Sequence, residues 1–231
     1  TAVGYAALAL NTIGYGNSAV GLQALYNNTT GSNNAAFGLN SLLSNTTGAN
    51  NVAVGTSALS ANTIGTHNVA VGFNALSNNT TGGLNTALGG NSLYSNTIGI
   101  YSVAVGYSAL YSNTTGNYNN AFGFYALRNN TGGQRNNAFG IEALKANTFG
   151  DENSAFGSAA LLANTTGNRN CAFGKYALVD NVVGSNNSAF GKDALRSNTT
   201  SNNSAFGYKA LNANTIGTNN TAVGVNSLWS N

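Results

Sequence analysis

Few side chains in this 231-residue chain could carry catalysis, and their spacing matches no known catalytic pattern. His67 is the only histidine, and no carboxylate or cysteine lies near it in the sequence. Asp151 and Glu152 are adjacent, so in a strand their carboxylates would point to opposite faces rather than share a substrate. Cys171 is the only cysteine, which excludes a disulfide framework and a cysteine-based zinc site. We therefore expect a protein that is not an enzyme and that binds no cofactor or metal.

The charges of the chain are few and unevenly placed. Eight basic and five acidic residues give a formal charge of +3, and residues 1–127 contain none of them. The basic residues are interleaved with acids, and no Gly-Lys-Ser/Thr phosphate loop occurs, so we expect no nucleic-acid partner. No apolar run approaches the roughly 18 residues of a membrane-spanning helix, so no membrane insertion by this segment is expected. The absence of a starting Met leads us to expect an excerpt of a longer, or a processed, polypeptide.

The positions around these residues follow an internal repeat. The tripeptide Ala-(Val/Phe/Leu)-Gly begins at 14 places, and every step is 17 residues except the 16-residue step from Ala189 to Ala205. We number each copy from this alanine as position 1. Position 3 is then always Gly, position 7 always Leu, position 10 always Asn, and position 6 always Ala or Ser.

A period of 17 residues restricts the fold. It is shorter than helical repeats of about 33 residues and leucine-rich repeats of about 20–29, and two or three glycines in most copies disfavour helix. Short segments at positions 16–3 and 5–9 are separated by Gly or by Asn-Thr-Thr-Gly, which is a turn signal. These features predict an all-β fold, a parallel β-solenoid (β-roll) of 14 coils with two or three short strands per coil. We expect one repeat domain over residues 1–231.

The residue types at each position predict which side chains are buried. Positions 2 and 7 accept only bulky aliphatic residues or Phe, so we assign both to the interior of the coil. Position 12 alternates between Thr and Ile, which indicates partial burial. All Tyr and all charged residues fall at positions 4, 5, 8, 9, 14 or 15, which we expect to be solvated. The invariant Asn at position 10 is expected to form a hydrogen-bonded ladder at a corner of the coil.

The invariant alanine at position 1 bears on whether several chains associate. Neighbouring strand residues point to opposite faces, so an interior position 2 would leave the Ala of position 1 outside. An outer face restricted to Ala and Gly favours close packing against another backbone. We therefore expect a homo-oligomer whose chains meet through positions 1 and 3.

Two segments carry a resemblance to a known family. Residues 187–194 (NSAFGKDA) and 51–58 (NVAVGTSA) resemble the head repeats of YadA-like trimeric autotransporter adhesins. The longer unit with Ala-Leu and Asn-Thr-Thr-Gly also resembles repeat shafts of bacteriophage tail-fibre-like proteins. The resemblance implies a left-handed roll, a homotrimer, and an extracellular location on a cell surface or a virion.

These observations favour the structural or adhesive repeat region of an extracellular fibre, either an adhesin head or a tail-fibre shaft. Its partner would be a host surface glycan or protein. Exposed aromatic rings on an uncharged surface suit such contacts, and the candidate ligand face is Tyr94, Tyr101, Tyr107, Tyr111, Tyr118, Phe124 and Tyr125. Two alternatives stay open: an ice-binding solenoid that uses the Thr row at position 11, and a purely mechanical spacer or filament subunit.

Overall fold

The computed structural model describes residues 1–229 and contains one short strand in each copy of the repeat. No helix occurs in this part of the chain, and the predicted all-β solenoid is confirmed. The chain divides into two compact units, residues 1–117 and the residues from Tyr118 onward. The strands of the first unit are β1 (Ala2–Val3), β2 (Ser18–Val20), β3 (Ala35–Phe37), β4 (Val52–Val54), β5 (Val69–Val71), β6 (Thr86–Leu88) and β7 (Val103–Val105). Those of the second unit are β8 (Asn120–Phe122), β9 (Asn137–Phe139), β10 (Ser154–Phe156), β11 (Cys171–Phe173), β12 (Ser188–Phe190), β13 (Ser204–Phe206) and β14 (Thr221–Val223).

Within each unit the strands pair in parallel and in register. Ala19 of β2 pairs with Ala36 of β3, and Ala155 of β10 pairs with Ala172 of β11. Each position of the repeat therefore stacks on the same position of the next coil. A property of one position becomes a column that runs along the unit.

The 16-residue copy keeps this register. Ala189 of β12 still pairs with Ala205 of β13. The carbonyl of Thr200 replaces that of the missing turn glycine, and it accepts hydrogen bonds from Asn198 and Asn187, both at 2.7 Å. The deletion is thus absorbed within the turn.

Positions 4–9 differ from the prediction of a second strand. Residues at positions 5 and 7 have left-handed backbone angles, for example φ 55° at Gln23 and 54° at Leu25, which interrupt an extended conformation. The segment still hydrogen-bonds from coil to coil, since Leu25 N donates to Ser41 O at 2.9 Å and Asn27 N donates to Leu43 O at 3.0 Å. Each coil therefore has one strand, at positions 17–2, and a turn-rich second side.

The interior confirms one predicted column and corrects another. Leu at position 7 is fully buried from Leu25 to Leu211, as predicted. The assignment of position 2 to the interior is wrong, because Phe37 and Leu88 are 42% and 37% exposed. The alanines of position 1 point inward and are fully buried within a single chain, from Ala19 to Ala205. They therefore cannot form the chain-to-chain contact that we expected at position 1; their invariance indicates that the interior has room there only for a methyl group.

Asparagine side chains fill the rest of the interior. The predicted ladder at position 10 is confirmed, since Asn45 Nδ2 donates to Asn28 Oδ1 and Asn62 Nδ2 to Asn45 Oδ1, both at 2.8 Å. Asn231, the last member of that column, lies outside the described residues. A second buried column at position 16, absent from the prediction, donates to the backbone of the next coil, for example from Asn34 Nδ2 to Gly48 O at 2.8 Å.

The outer positions bring two further corrections. Position 12 is exposed rather than partly buried: Ile13, Ile64 and Ile98 expose 76%, 52% and 54% of their surface. Asp193, at a position expected to be solvated, is only 4% exposed and is compensated by Arg196 at 3.2 Å. The remaining charged residues are half-buried or exposed, as predicted.

Candidate functional site

The candidate ligand face predicted from the sequence is not a single surface. Tyr94 and Tyr111 occupy position 8, on the turn-rich side of the first unit, and their rings stack at 5.1 Å with planes 8° apart. Tyr101 in the first unit and Tyr118 in the second occupy position 15, and each is 46% exposed. The turn at positions 10–13 separates positions 8 and 15 along each coil. The tyrosines of these two positions therefore belong to different surfaces.

The remaining aromatic candidates lie just after the strands. Tyr107, at position 4 of the first unit, is 50% exposed. In the second unit Phe124 is 44% exposed, and its ring centre lies 3.8 Å from that of Tyr125. Tyr125 is half-buried and lies beneath two cations, Arg128 at 4.9 Å and Lys145 at 5.4 Å from its ring centre. These rings belong to the turn-rich side rather than to the position-15 surface.

A groove in the second unit brings together an aromatic ring, two amides and a guanidinium. Tyr118, Asn120, Arg135 and Asn137 line a volume of about 290 Å³. The Asn120 amide donates to Asn137 Oδ1 at 2.8 Å, which fixes both side chains at neighbouring position-17 sites. A phenol ring beside amide donors and acceptors can pack on the C–H face of a sugar while hydrogen-bonding its hydroxyls. Sequence reasoning identified Tyr118 but missed the other three residues, because their adjacency follows from the coil register.

Charges beside this groove compensate one another. Glu152 lies 3.0 Å from Arg169 and 3.7 Å from Arg135, all in the position-15 column. Asp151 accepts a hydrogen bond from Gln134 N at 2.7 Å. The surface around the groove is therefore close to neutral, which favours an uncharged ligand.

An apolar ridge on the outer face of the sheet was also missed by the sequence analysis. In the second unit the position-2 rings stack with centres 4.5–5.1 Å apart and planes within 8°. We call this set the Phe ridge: Phe122, Phe139, Phe156, Phe173, Phe190 and Phe206. Its rings are half-buried or exposed, for example 41% exposed at Phe206. The bulky residue types of position 2 indicate one continuous column, but residue type alone does not determine whether that column faces inward or outward.

Six of the eight basic residues are grouped on the turn-rich side of the second unit, at positions 4, 5 and 8. We call this set the basic ribbon: Arg128, Lys145, Lys175, Lys192, Arg196 and Lys209. Each of these cations lies 4.8–5.7 Å from the centre of an aromatic ring. In the linear sequence they appeared scattered, because residues of positions 14 and 15 are interleaved with them.

The residues that could have carried chemistry lie apart from one another. His67 is exposed, and its Nε2 lies 3.2 Å from the amide of Asn50. Cys171 is half-buried on β11, and burial raises the pKa of its thiol above the ordinary value. Within residues 1–229 no three His, Cys, Asp or Glu side chains are grouped so as to hold a metal ion.

The Thr row at position 11 hydrogen-bonds along the coil axis. Thr63 Oγ1 donates to Thr80 O, and Thr80 Oγ1 donates to Thr97 O, both at 3.0 Å. The neighbouring exposed column at position 12 mixes Thr with bulky residues such as Ile64 and Phe149. The hydroxyl hydrogens of this row are thus directed to backbone carbonyls rather than to solvent.

Comparison with known proteins adds no relative to this picture. No helix among the described residues is both long enough and apolar enough to cross a membrane. No family model, no curated protein and no solved structure matches the chain.

Proposed function

We propose that this chain is the repeat region of an extracellular fibre that attaches to a host or other surface, and that it acts as a homo-oligomer. The observation that carries the proposal is the exposed apolar column at position 2. From Leu25 to Leu211 the interior is already filled by fully buried Leu, Ala and Asn side chains, so the position-2 column is not needed to close the interior of one chain. An apolar surface that a chain leaves exposed along its whole repeat is typical of an interface.

The size of the Phe ridge supports an interface. Three rings of the ridge are 36–41% exposed and three are half-buried, so the six rings together leave on the order of 400 Å² of apolar surface in the second unit. Contiguous apolar patches of about 300–600 Å² are the largest on ordinary monomers and are often functional.

The chemistry of the ridge favours a second copy of this chain as its partner. Positions 2 and 17 contain no charged residue in any copy, so identical columns can meet without like-charge repulsion. A second copy also has the same coil spacing, about 4.8 Å, and can match the ridge coil by coil. The resemblance to trimeric adhesin heads supports a homotrimer, now with position 2 in place of positions 1 and 3.

Association can be tested with a matched pair of variants. Phe156→Asp together with Phe173→Asp places two charges on the ridge of each chain. Phe149→Asp together with Ile141→Asp places two charges at exposed positions off the strand, where Phe149 and Ile141 expose 64% and 57%. Light scattering of the 231-residue chain should give a trimer for the unmodified protein and the control, and monomers for the ridge variant. A monomeric unmodified chain, or equal effects of both variants, would contradict the proposal.

The groove at Tyr118 is the proposed contact with an uncharged surface glycan. Its ring, amides and guanidinium are held on a neutral surface, as described above, and its position-15 and position-17 residues lie beside the ridge rather than in it. Binding to a glycan array should fall in Tyr118→Ser and persist in Tyr5→Ser, which removes a 79% exposed tyrosine at position 4. Undiminished binding in Tyr118→Ser would exclude the groove. No glycan or protein binding by the unmodified chain would leave the spacer as the better description.

A further inference from the structure

We propose a second binding surface on this chain: the basic ribbon of the second unit binds a linear acidic polysaccharide that carries about one carboxylate for every two sugars. The proposal depends on the proposed function only in taking a saccharide as the partner. It uses the turn-rich side of the coil, whereas the Tyr118 groove lies at positions 15 and 17.

The formal charge of the chain is concentrated at the basic ribbon. The ribbon has six cations, and three carboxylates share positions 4–9 with them: Glu142, Asp180 and Asp193. Six against three leaves +3, which is the whole formal charge of the chain. The remaining two arginines and two acids, at positions 14 and 15, cancel. The fold has therefore placed the entire net charge on one side of one unit.

Aromatic rings hold the cations of the basic ribbon in place. Lys175 Nζ lies 4.8 Å from the centre of the Tyr176 ring, and the guanidinium carbon of Arg196 lies 5.3 Å from the same centre. Lys209 Nζ lies between two rings, 5.2 Å from Tyr208 and 5.0 Å from Trp229. Cation–π contacts of this kind restrict long side chains before a ligand arrives, which lowers the entropy lost on binding.

The carboxylates on the turn-rich side pair with only some of the cations of the basic ribbon. Asp193 is buried and takes up Arg196 at 3.2 Å and Lys192 at 3.9 Å, and Glu142 takes up Lys145 at 2.7 Å. Lys175 and Lys209 form no ion pair with any carboxylate among the described residues. These two lysines are the clearest candidates to meet a ligand carboxylate.

The density of charge selects the class of ligand. From Arg128 to Lys209 the ribbon crosses five coil steps, about 24 Å at the usual strand spacing, so it offers about one net positive charge per 8 Å. Duplex DNA carries one negative charge per about 1.7 Å, far denser than this surface can neutralise. Two sugar rings extend about 10 Å by ordinary covalent dimensions, so a polysaccharide with a carboxylate on alternate sugars matches the ribbon.

The exposed rings suit the same ligand. Tyr208 and Trp229 are 40% and 47% exposed beside the lysines. An aromatic face packs well against the C–H face of a sugar. Tyr208 and Trp229 thus add ring surface for a sugar at the Lys209 end of the ribbon.

The test uses hyaluronan fragments as the probe, with neutral dextran and a single-stranded DNA oligonucleotide as comparisons. The 231-residue chain should bind hyaluronan at 50 mM NaCl, bind it more weakly at 300 mM NaCl, and not bind dextran at the ribbon. Lys175→Gln together with Lys209→Gln should weaken binding about tenfold. A matched single-charge pair completes the test. Lys175→Gln should weaken binding, whereas Arg169→Gln, which removes the same charge from the position-15 column outside the Tyr118 groove, should bind like the unmodified chain.

The outcomes separate this proposal from the others. No binding of hyaluronan at low salt, or equal weakening by Lys175→Gln and Arg169→Gln, would overturn the basic ribbon as a site. Tighter binding of the oligonucleotide than of hyaluronan would overturn the choice of a polysaccharide. Neither result affects association through the Phe ridge or glycan binding at Tyr118, which are tested by uncharged probes and by other residues.

Discussion

The side-chain amide of Asn79 donates to the side-chain oxygen of Asn62, one coil earlier, at 2.8 Å. The same amide donates to the carbonyl of Gly82 at 2.9 Å, and Asn96 donates in turn to Asn79 Oδ1 at 2.8 Å. One asparagine therefore satisfies three buried polar groups from three consecutive coils. Because the column repeats this arrangement, its hydrogen bonds join each coil to the next through the interior.

Removal of one member of this ladder should be costly. Asn79→Ala leaves the buried Oδ1 of Asn62 without a donor. It also removes one of the two hydrogen bonds at Gly82 O and at the Asn96 amide, which keep Asn68 and Gly99 as partners. We expect a loss of about 2–3 kcal/mol in the free energy of unfolding. The neighbouring Asn78 is exposed, and Asn78→Ala should change stability by less than about 0.5 kcal/mol. Urea unfolding followed by circular dichroism measures both. Similar costs for the two variants would show that the ladder does not stabilise the fold.

Leu→Ala substitutions at positions 7 and 2 distinguish the buried face of the coil from the exposed face. Leu110 at position 7 is fully buried, whereas Leu88 at position 2 is 37% exposed. Leu110→Ala creates a cavity and should cost about 2–5 kcal/mol, with neighbouring coils limiting the damage. Leu88→Ala should cost clearly less in the monomer, because no cavity forms. A larger cost for Leu88→Ala than for Leu110→Ala would contradict the assignment of position 2 to the outer face.

These two leucines also show how far the sequence could predict the fold. The 17-residue period, the buried Leu column and the Asn ladder follow from invariance at single positions. Strand alternation required positions 1 and 2 to face opposite ways, but it did not determine which faced inward. Bulky residues at position 2 favoured burial by size alone. The Ala at position 1 lies inside because Leu25, Asn28 and their equivalents already fill the space opposite the strand.

The binding surfaces were harder to predict than the interior. Composition correctly placed Tyr118 and Arg135 on the outside. Their contact across one coil with Asn120 and Asn137 depends on register, and the split between positions 8 and 15 depends on where the coil turns its corner. The basic ribbon has the same origin, because Lys175 and Lys209 become neighbours of one surface only after the copies are stacked.

Because neighbouring coils approach closely at position 3, two adjacent glycines should differ in how much an alanine substitution costs in stability. Gly89 at position 3 has φ +125°, and a Cβ there would lie 2.8 Å from the carbonyl oxygen of Gly106 in the next coil. Gly89→Ala should therefore cost more than about 2 kcal/mol, from strain and lost coil-to-coil contact. A Cβ at Gly90 would lie 3.4 Å from the ring of Tyr107, which is ordinary contact, so Gly90→Ala should leave the stability nearly unchanged. Thermal unfolding of the two variants gives the comparison, and equal midpoints would contradict it.

The thiol of Cys171 gives the last prediction. Burial raises its pKa because the thiolate is less well solvated on β11 than in the unfolded chain. The folded state therefore holds the thiol proton more tightly, and the stability this contributes is present at neutral pH and declines at alkaline pH, as pH rises through the folded pKa.

Since the thiolate is the reactive form, alkylation by iodoacetamide at pH 8 should be slower in the native chain than in guanidinium chloride. The native rate should also reach its half-maximum at a higher pH than the unfolded rate, which separates the pKa effect from simple steric protection. Cys171→Ser supplies the unlabelled control. A native midpoint at or below that of the unfolded chain would show that the thiolate on β11 is stabilised rather than desolvated.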